Sequence, residues 1–163
     1  MQRRPFLQKI SLISSSLMTM PFISFGKKEF PNPNRMKFIT ASDGHFGQPN
    51  TDYETSHRNL IEAIHREENV DLVVFNGDLI HDDPKWMPEV RRVYETLQVP
   101  YYICKGNHDR ISEDSWLQLW GQSADYSFIH KDTYGFLLLN CSNEAGDYLC
   151  ANLNFAKVIL EEY

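Results

Sequence analysis

The sequence predicts an α/β fold built on a mostly parallel sheet flanked by helices, and three observations lead there. Short apolar runs, each with β-branched or aromatic residues, occur at Met36–Ala41, Leu72–Phe75 and Tyr101–Cys104. Each leads into a polar, glycine-containing block: Asp43-Gly44-His45-Phe46-Gly47, Gly77-Asp78-Leu79-Ile80-His81-Asp82 and Gly106-Asn107-His108-Asp109. Asp43 precedes Asp78 by 35 residues and Asp78 precedes Asn107 by 29. Each gap accommodates a strand, a crossover helix and the next parallel strand.

The elements follow in order. Lys27–Arg35 is rich in Pro and Asn and reads as a linker. Strand Met36–Ala41 comes next, then the first block and the turn-rich Gly47–Asp52. Tyr53–Glu68 has the pattern of an amphipathic helix. Leu60, Ile61 and Ile64 form its apolar stripe, and His57 and His65 are expected in solvent. Asp71–Phe75 is a nearly continuous apolar run, as a strand covered on both faces requires. Pro88 suits a first helical turn, and Val90, Val93, Tyr94 and Leu97 repeat at helical spacing until Pro100 ends the segment. Ser112 is placed to cap a short helix, with Glu113 and Asp114 in its first turn and Gly121 closing it. Tyr126–Ile129 and Tyr134–Asn140 read as a hairpin around Lys131-Asp132-Thr133, with His130 at its tip and no role assigned to it. Leu149–Glu162 reads as a final helix.

Met1–Gly26 is set aside as an export signal. A basic stretch, Arg3-Arg4-Pro5-Phe6-Leu7-Gln8-Lys9, precedes the serine-diluted apolar run Ile10–Phe25 and the small-x-small pattern Ser24-Phe25-Gly26. The segment resembles a twin-arginine signal, although Gln2 stands where Ser or Thr is usual, and it implies a periplasmic or secreted protein. The competing reading is an anchoring or unstructured terminus. No stable membrane span is expected, because Ile10–Phe25 falls short of the roughly 20 predominantly apolar residues a span requires. Without Met1–Gly26, which holds three basic and no acidic residues, the net charge moves from −6 to −9. That balance excludes a nucleic-acid polymer as partner and leaves a phosphate to be held by local cations. Cys104 lies in a strand run and is expected as a buried thiol. Cys141 and Cys150 can pair, though their spacing does not require it. The oligomeric state is left open.

Parallel strands point one way, so all three blocks emerge at the carboxyl edge of the sheet, where open α/β folds bind ligands. Asp43, Asp78 and Asn107 taken singly are ordinary turn and cap residues. Joined by His45 and His108, they have the carboxylate, imidazole and amide donors of a metal site.

In this order the blocks D-x-H-x-G, G-D and G-N-H-D resemble the calcineurin-like metallophosphoesterase superfamily. The likeness extends through Asp125-Tyr126-Ser127-Phe128 and Tyr134–Ser142 to almost all of Met36–Tyr163. The resemblance implies the N-terminal part of an αββα sandwich and a metal-dependent hydrolase of a small phosphoester substrate. It also implies two divalent or trivalent ions (Mn, Fe or Zn) and a bridging hydroxide. Asp43, His45 and Asp78 would hold one ion and Asp78 and Asn107 the other, with Asp78 bridging ions about 3.5–4 Å apart. His108 would act on the leaving group as proton donor or charge stabiliser, and Asp109 would either orient His108 or cap its turn. The Gly-Asp-Leu-Ile-His-Asp variant, with His81 and Asp82, leans toward a phosphodiesterase over a phosphomonoesterase; a solvated turn before Pro84 is the plainer reading. Trp86, Trp116 and Trp120 could line the crevice mouth, with core or lid packing as the default.

The family completes its metal spheres with later histidines, ending in G-H-x-H, whereas the last histidine here is His130. The expectation is therefore a chain that is part of a longer reading. The rival is an inactive fragment, pseudoenzyme or binding module.

Overall fold

The computed structural model describes residues 35–162. The expected export signal and all but the last residue of the linker lie outside them. Three parallel strands, β1 (Phe38–Ala41), β2 (Leu72–Asn76) and β3 (Tyr101–Cys104), form a sheet in the order β1-β2-β3. Ala41 pairs with Phe75 and Phe75 with Ile103, so the three strands end at nearly the same level. Helices α1 (Tyr53–Arg66) and α2 (Met87–Tyr94) make the two crossovers, and α3 (Glu113–Trp120) follows β3. A separate two-stranded sheet is formed by β4 (Tyr126–His130) and β5 (Tyr134–Leu138), and α4 (Leu153–Glu162) comes last.

Alternation along each strand divides the core. Val73, Phe75 and Ile103 face one side and pack with Ile61 and Ile64 of α1, Val90 and Tyr94 of α2 and Trp116 of α3. Leu72 and Val74 face the other side, where Leu138, Phe128 and Phe136 of the hairpin cover them. The second face of the sheet is thus closed by the hairpin, with Tyr102 stacked on Phe128 at 3.5 Å between ring centroids. Tyr126 of β4 also ties down the edge of β3: its hydroxyl donates to the Ile103 carbonyl (2.9 Å) and accepts from the Ile103 amide (3.0 Å).

Local chemistry sets the ends of the elements. The Ser112 side chain accepts from the Ser115 amide at the start of α3, and Gly121 closes that helix with φ of 72°. A 3-10 turn, Pro84–Trp86, precedes α2, capped by Asp83 accepting from the Lys85 amide, so α2 begins one residue before Pro88. α4 begins at Leu153, four residues later than expected from Leu149. The Asn143 side chain accepts from the Asp147 amide and donates to its carboxylate, holding a turn that the helical pattern hides.

One expectation is corrected here. His57 is not solvated but buried (2% exposed) on the α1 face that carries Ile61 and Ile64. Its Nδ1–H donates to the Tyr53 carbonyl at 2.8 Å, which leaves Nε2 as an unpartnered acceptor. Burial lowers its pKa below the ordinary histidine value, outweighing that hydrogen bond. His65 is exposed. Trp116 is a fully buried core residue, and Trp86 packs on Phe46 and Tyr53. Cys104 is half-buried, its thiol pushed up to about 11 by burial, and Cys141 and Cys150 are both free and exposed. Among the described residues no helix is long and apolar enough to cross a membrane.

Candidate metal centre

The three blocks continue past the strand ends as paired loops. Amides of the first block donate to carbonyls of the second: Asp43 to Gly77 (3.3 Å), His45 to Asp78 (2.9 Å) and Phe46 to Leu79 (3.0 Å). The third block is fastened by Asp82, whose amide donates to the His108 carbonyl at 3.0 Å, and by Asp78, whose Oδ1 accepts the His108 amide at 2.9 Å. Left-handed backbone concentrates in these loops, with positive φ at Asp43 (57°), His45 (44°), Asp78 (53°), Asp82 (61°) and Arg110 (34°). Such residues cost on the order of 1–3 kcal/mol each and persist only where the surroundings over-determine them.

Glycine makes the close approach possible. A Cβ on Gly106 would stand 2.2 Å from both the amide nitrogen and Oδ1 of Asp78. Gly77 (φ 84°) meets Gly106 from the opposite loop, its own Cβ position lying 2.9 Å from the Gly106 Cα.

Asp43, His45 and Asp78 come together as expected. Each offers one donor atom, and the three atoms lie within 4.8 Å of one another. His45 Nε2 is 3.9 Å from Asp43 Oδ1 and 4.0 Å from Asp78 Oδ2. Those gaps are too wide for hydrogen bonds but can be spanned by an ion with donors at about 2.0–2.2 Å. Two carboxylate oxygens and an imidazole nitrogen suit a divalent ion, so these residues fit the group they are expected to hold. Asn107 opens the 3-10 turn Asn107–Asp109, and its Oδ1 accepts a hydrogen bond from the Tyr148 hydroxyl at 3.1 Å.

His108 lies beside this group, its ring centroid 4.7 Å from that of His45. Its orienting partner is Asp82, with His108 Nδ1 3.0 Å from Asp82 Oδ1. Arg110 Nε approaches the same oxygen at 2.9 Å. Desolvation raises the Asp82 pKa, but the His108 hydrogen bond and the Arg110 charge outweigh it and hold the carboxyl below its usual value.

Asp109 sits elsewhere. It is fully buried, its Oδ1 accepting from the Ile80 amide (3.1 Å) and its Oδ2 from the Gly106 amide (2.7 Å). Of the two roles open to it in the sequence, this geometry is that of a cap joining the second and third blocks. Burial pushes its carboxyl up to about 7, against the two amides that favour the charged form.

Two contributors were not singled out in the sequence. Arg110 follows the third block directly, and its left-handed backbone turns it back toward Asp82, which no residue pattern announces. Tyr148 reaches Asn107 across 41 residues, a separation that leaves no local signal.

The model of the calcineurin-like phosphoesterase family matches residues 36–158, and the chain belongs to that family. No curated protein matches it. The match takes in all three blocks, the hairpin and most of α4.

Proposed function

We propose that the protein is a metal-dependent hydrolase of small phosphoesters, with phosphodiesters preferred over phosphomonoesters. The observation that carries this reading is the convergence of Asp43, His45 and Asp78 donor atoms within 4.8 Å, beside a carboxylate-oriented His108. Asp43, His45 and Asp78 would hold one ion, and Asp78 with Asn107 a second. Bound divalent ions supply Lewis acidity toward phosphoryl oxygens and lower the pKa of water.

The chain's own groups do the rest. Asp82 on Nδ1 fixes the His108 ring and leaves Nε2 to pass a proton to the departing oxygen. Arg110 keeps Asp82 anionic and so preserves that orientation. Asp109 is a positioning residue that holds the second and third blocks in register. Tyr148 steadies the Asn107 amide through one lone pair of its oxygen and leaves the other for a cation. The Arg3-Arg4 leader supports an exported, periplasmic or secreted, enzyme.

Hydrolysis of bis-para-nitrophenyl phosphate with Mn²⁺ tests the reading. Turnover is expected to depend on the metal and to be abolished by chelator and by Asp78→Asn. Hydrolysis indifferent to both would contradict it. A second reading, a metal-binding module without turnover, rests on the same donor cluster. It predicts Mn²⁺ binding with no hydrolysis above the buffer rate.

A further inference from the structure

His81 has no part in the site just described, yet it stands in a cluster of imidazoles. His45, His81 and His108 each offer a ring nitrogen, and these atoms lie within 4.8 Å of one another. The ring centroids are 5.3 Å apart for His45 and His81, 4.7 Å for His45 and His108, and 5.3 Å for His81 and His108. We propose that these three imidazoles form a separate, all-nitrogen site for a borderline divalent ion, zinc foremost, which competes with the carboxylate site for His45.

The first argument is a distance. His45 Nδ1 and His81 Nδ1 are 3.3 Å apart, long for a hydrogen bond between ring nitrogens. Zinc–imidazole bonds of about 2.0–2.1 Å at the tetrahedral angle put neighbouring donors about 3.3–3.4 Å apart. The pair therefore already has the edge length of a tetrahedral zinc site.

The second argument is the outer layer. His108 has Nδ1 on Asp82 at 3.0 Å, which leaves Nε2 for an ion in the carboxylate–histidine–metal arrangement. His81 turns its Nε2 to the other oxygen of the same carboxylate, at 3.8 Å, and so presents Nδ1 inward. His45 likewise has Nε2 toward Asp43 and Asp78 and Nδ1 toward His81. One carboxylate thus holds the His108 ring by a hydrogen bond and faces the His81 ring. The Arg110 guanidinium is paired with that carboxylate at 2.9 Å. Side chains of His45, His81 and His108 keep 21%, 26% and 32% of their surface exposed, enough for an aqueous ion to reach them.

Donor chemistry separates the two sites. Three neutral imidazoles favour zinc, copper or nickel, while the carboxylates of Asp43 and Asp78 favour manganese or magnesium. An ion on the three histidines engages His108 as a ligand, so it excludes His108 from proton transfer. Zinc in excess of the working metal is then an inhibitor. That consequence rests on the proposed hydrolase; the binding site does not.

Titration of the 163-residue chain with Co²⁺, a coloured stand-in for zinc, tests the site. The expected result is a ligand-field band displaced by Zn²⁺, with affinity lowered in His81→Ala by at least the about 10–100-fold typical of losing an outer-layer partner. His65→Ala, at an exposed histidine of α1, is expected to leave Co²⁺ affinity within twofold. Nitrogen NMR of the same chain provides a readout independent of any variant: Zn²⁺ should shift ring nitrogens of His45, His81 and His108 and spare those of His57, His65 and His130. Equal Co²⁺ affinity in His81→Ala, equal loss in His65→Ala, or an unmoved His81 resonance would each overturn the proposal. Mn²⁺ affinity reports separately on the hydrolase reading, since it should fall in Asp43→Ala and persist in His81→Ala.

Discussion

Asp82 and Gly106 show how single residues determine this site. Asp82 touches His108 and Arg110 through one oxygen, so it couples the orientation of the His108 ring to a cation beyond the three blocks. Gly106 gives Asp78 its room. Gly106→Ala forces a backbone atom away from Asp78 and should cost about 1–3 kcal/mol, as overpacking does. Urea denaturation measures the loss, and Mn²⁺ affinity should fall with it. His108→Ala should instead leave Mn²⁺ content nearly unchanged and lower kcat by about 10²–10⁴-fold. Metal analysis beside kinetics separates those two roles.

His57 was misread as solvated because its polarity outweighed its position. It stands four residues before Ile61 and seven before Ile64, on the stripe that packs against the sheet. Its folded pKa lies below the ordinary 6.5, so the folded state resists the proton that the unfolded chain accepts. The stability it allows is complete above pH 6.5 and falls as the pH drops below that value. In thermal melts between pH 5 and 7 the stability of the native chain relative to His57→Leu should fall as the pH drops. The variant separates His57 from Asp109, whose raised carboxyl acts in the opposite sense.

At the scale of elements, legibility followed the strength of local chemistry. β3 and the caps of α3 were readable because Pro100, Ser112 and Gly121 punctuate the chain. Ser112→Ala should accordingly destabilise the protein by about 1 kcal/mol, the usual cost of losing such a cap, in chemical denaturation. α4 was extended too far because Asn152, whose side chain caps the helix by accepting from the Phe155 amide at 3.1 Å, was not read as its start. The turn before it is held by the Asn143 and Asp147 side chains. The convergence of the blocks was legible for a geometric reason: three parallel strands of matched register place Asp43, Asp78 and Asn107 at one edge. The cap role of Asp109, the reach of Arg110 and the contact from Tyr148 were not, since each depends on loop backbone that no periodicity specifies.

For the molecule as a whole, the parallel sheet is a plate with helices on one face and a hairpin on the other, and the site occupies its carboxyl edge. The two faces are not equal. Leu138 joins Leu72 and Val74 as the three buried residues of the smaller cluster. Leu138→Ala should therefore cost about 2–5 kcal/mol in urea denaturation by opening that face. The loops rest on this plate, since β1, β2 and β3 end directly beneath them.

The central claim is that Asp43, His45, Asp78 and Asn107 act as one metal centre supported by those strands. Electron paramagnetic resonance of Mn²⁺ titrated into the 163-residue chain and into Asp78→Asn tests it most directly. The account predicts loss of the free-ion signal with the native chain and at least about tenfold weaker binding in Asp78→Asn, because the neutral amide removes the anionic donor at the middle of the site. Equal Mn²⁺ affinity in the two proteins, or none in the native chain, would contradict it.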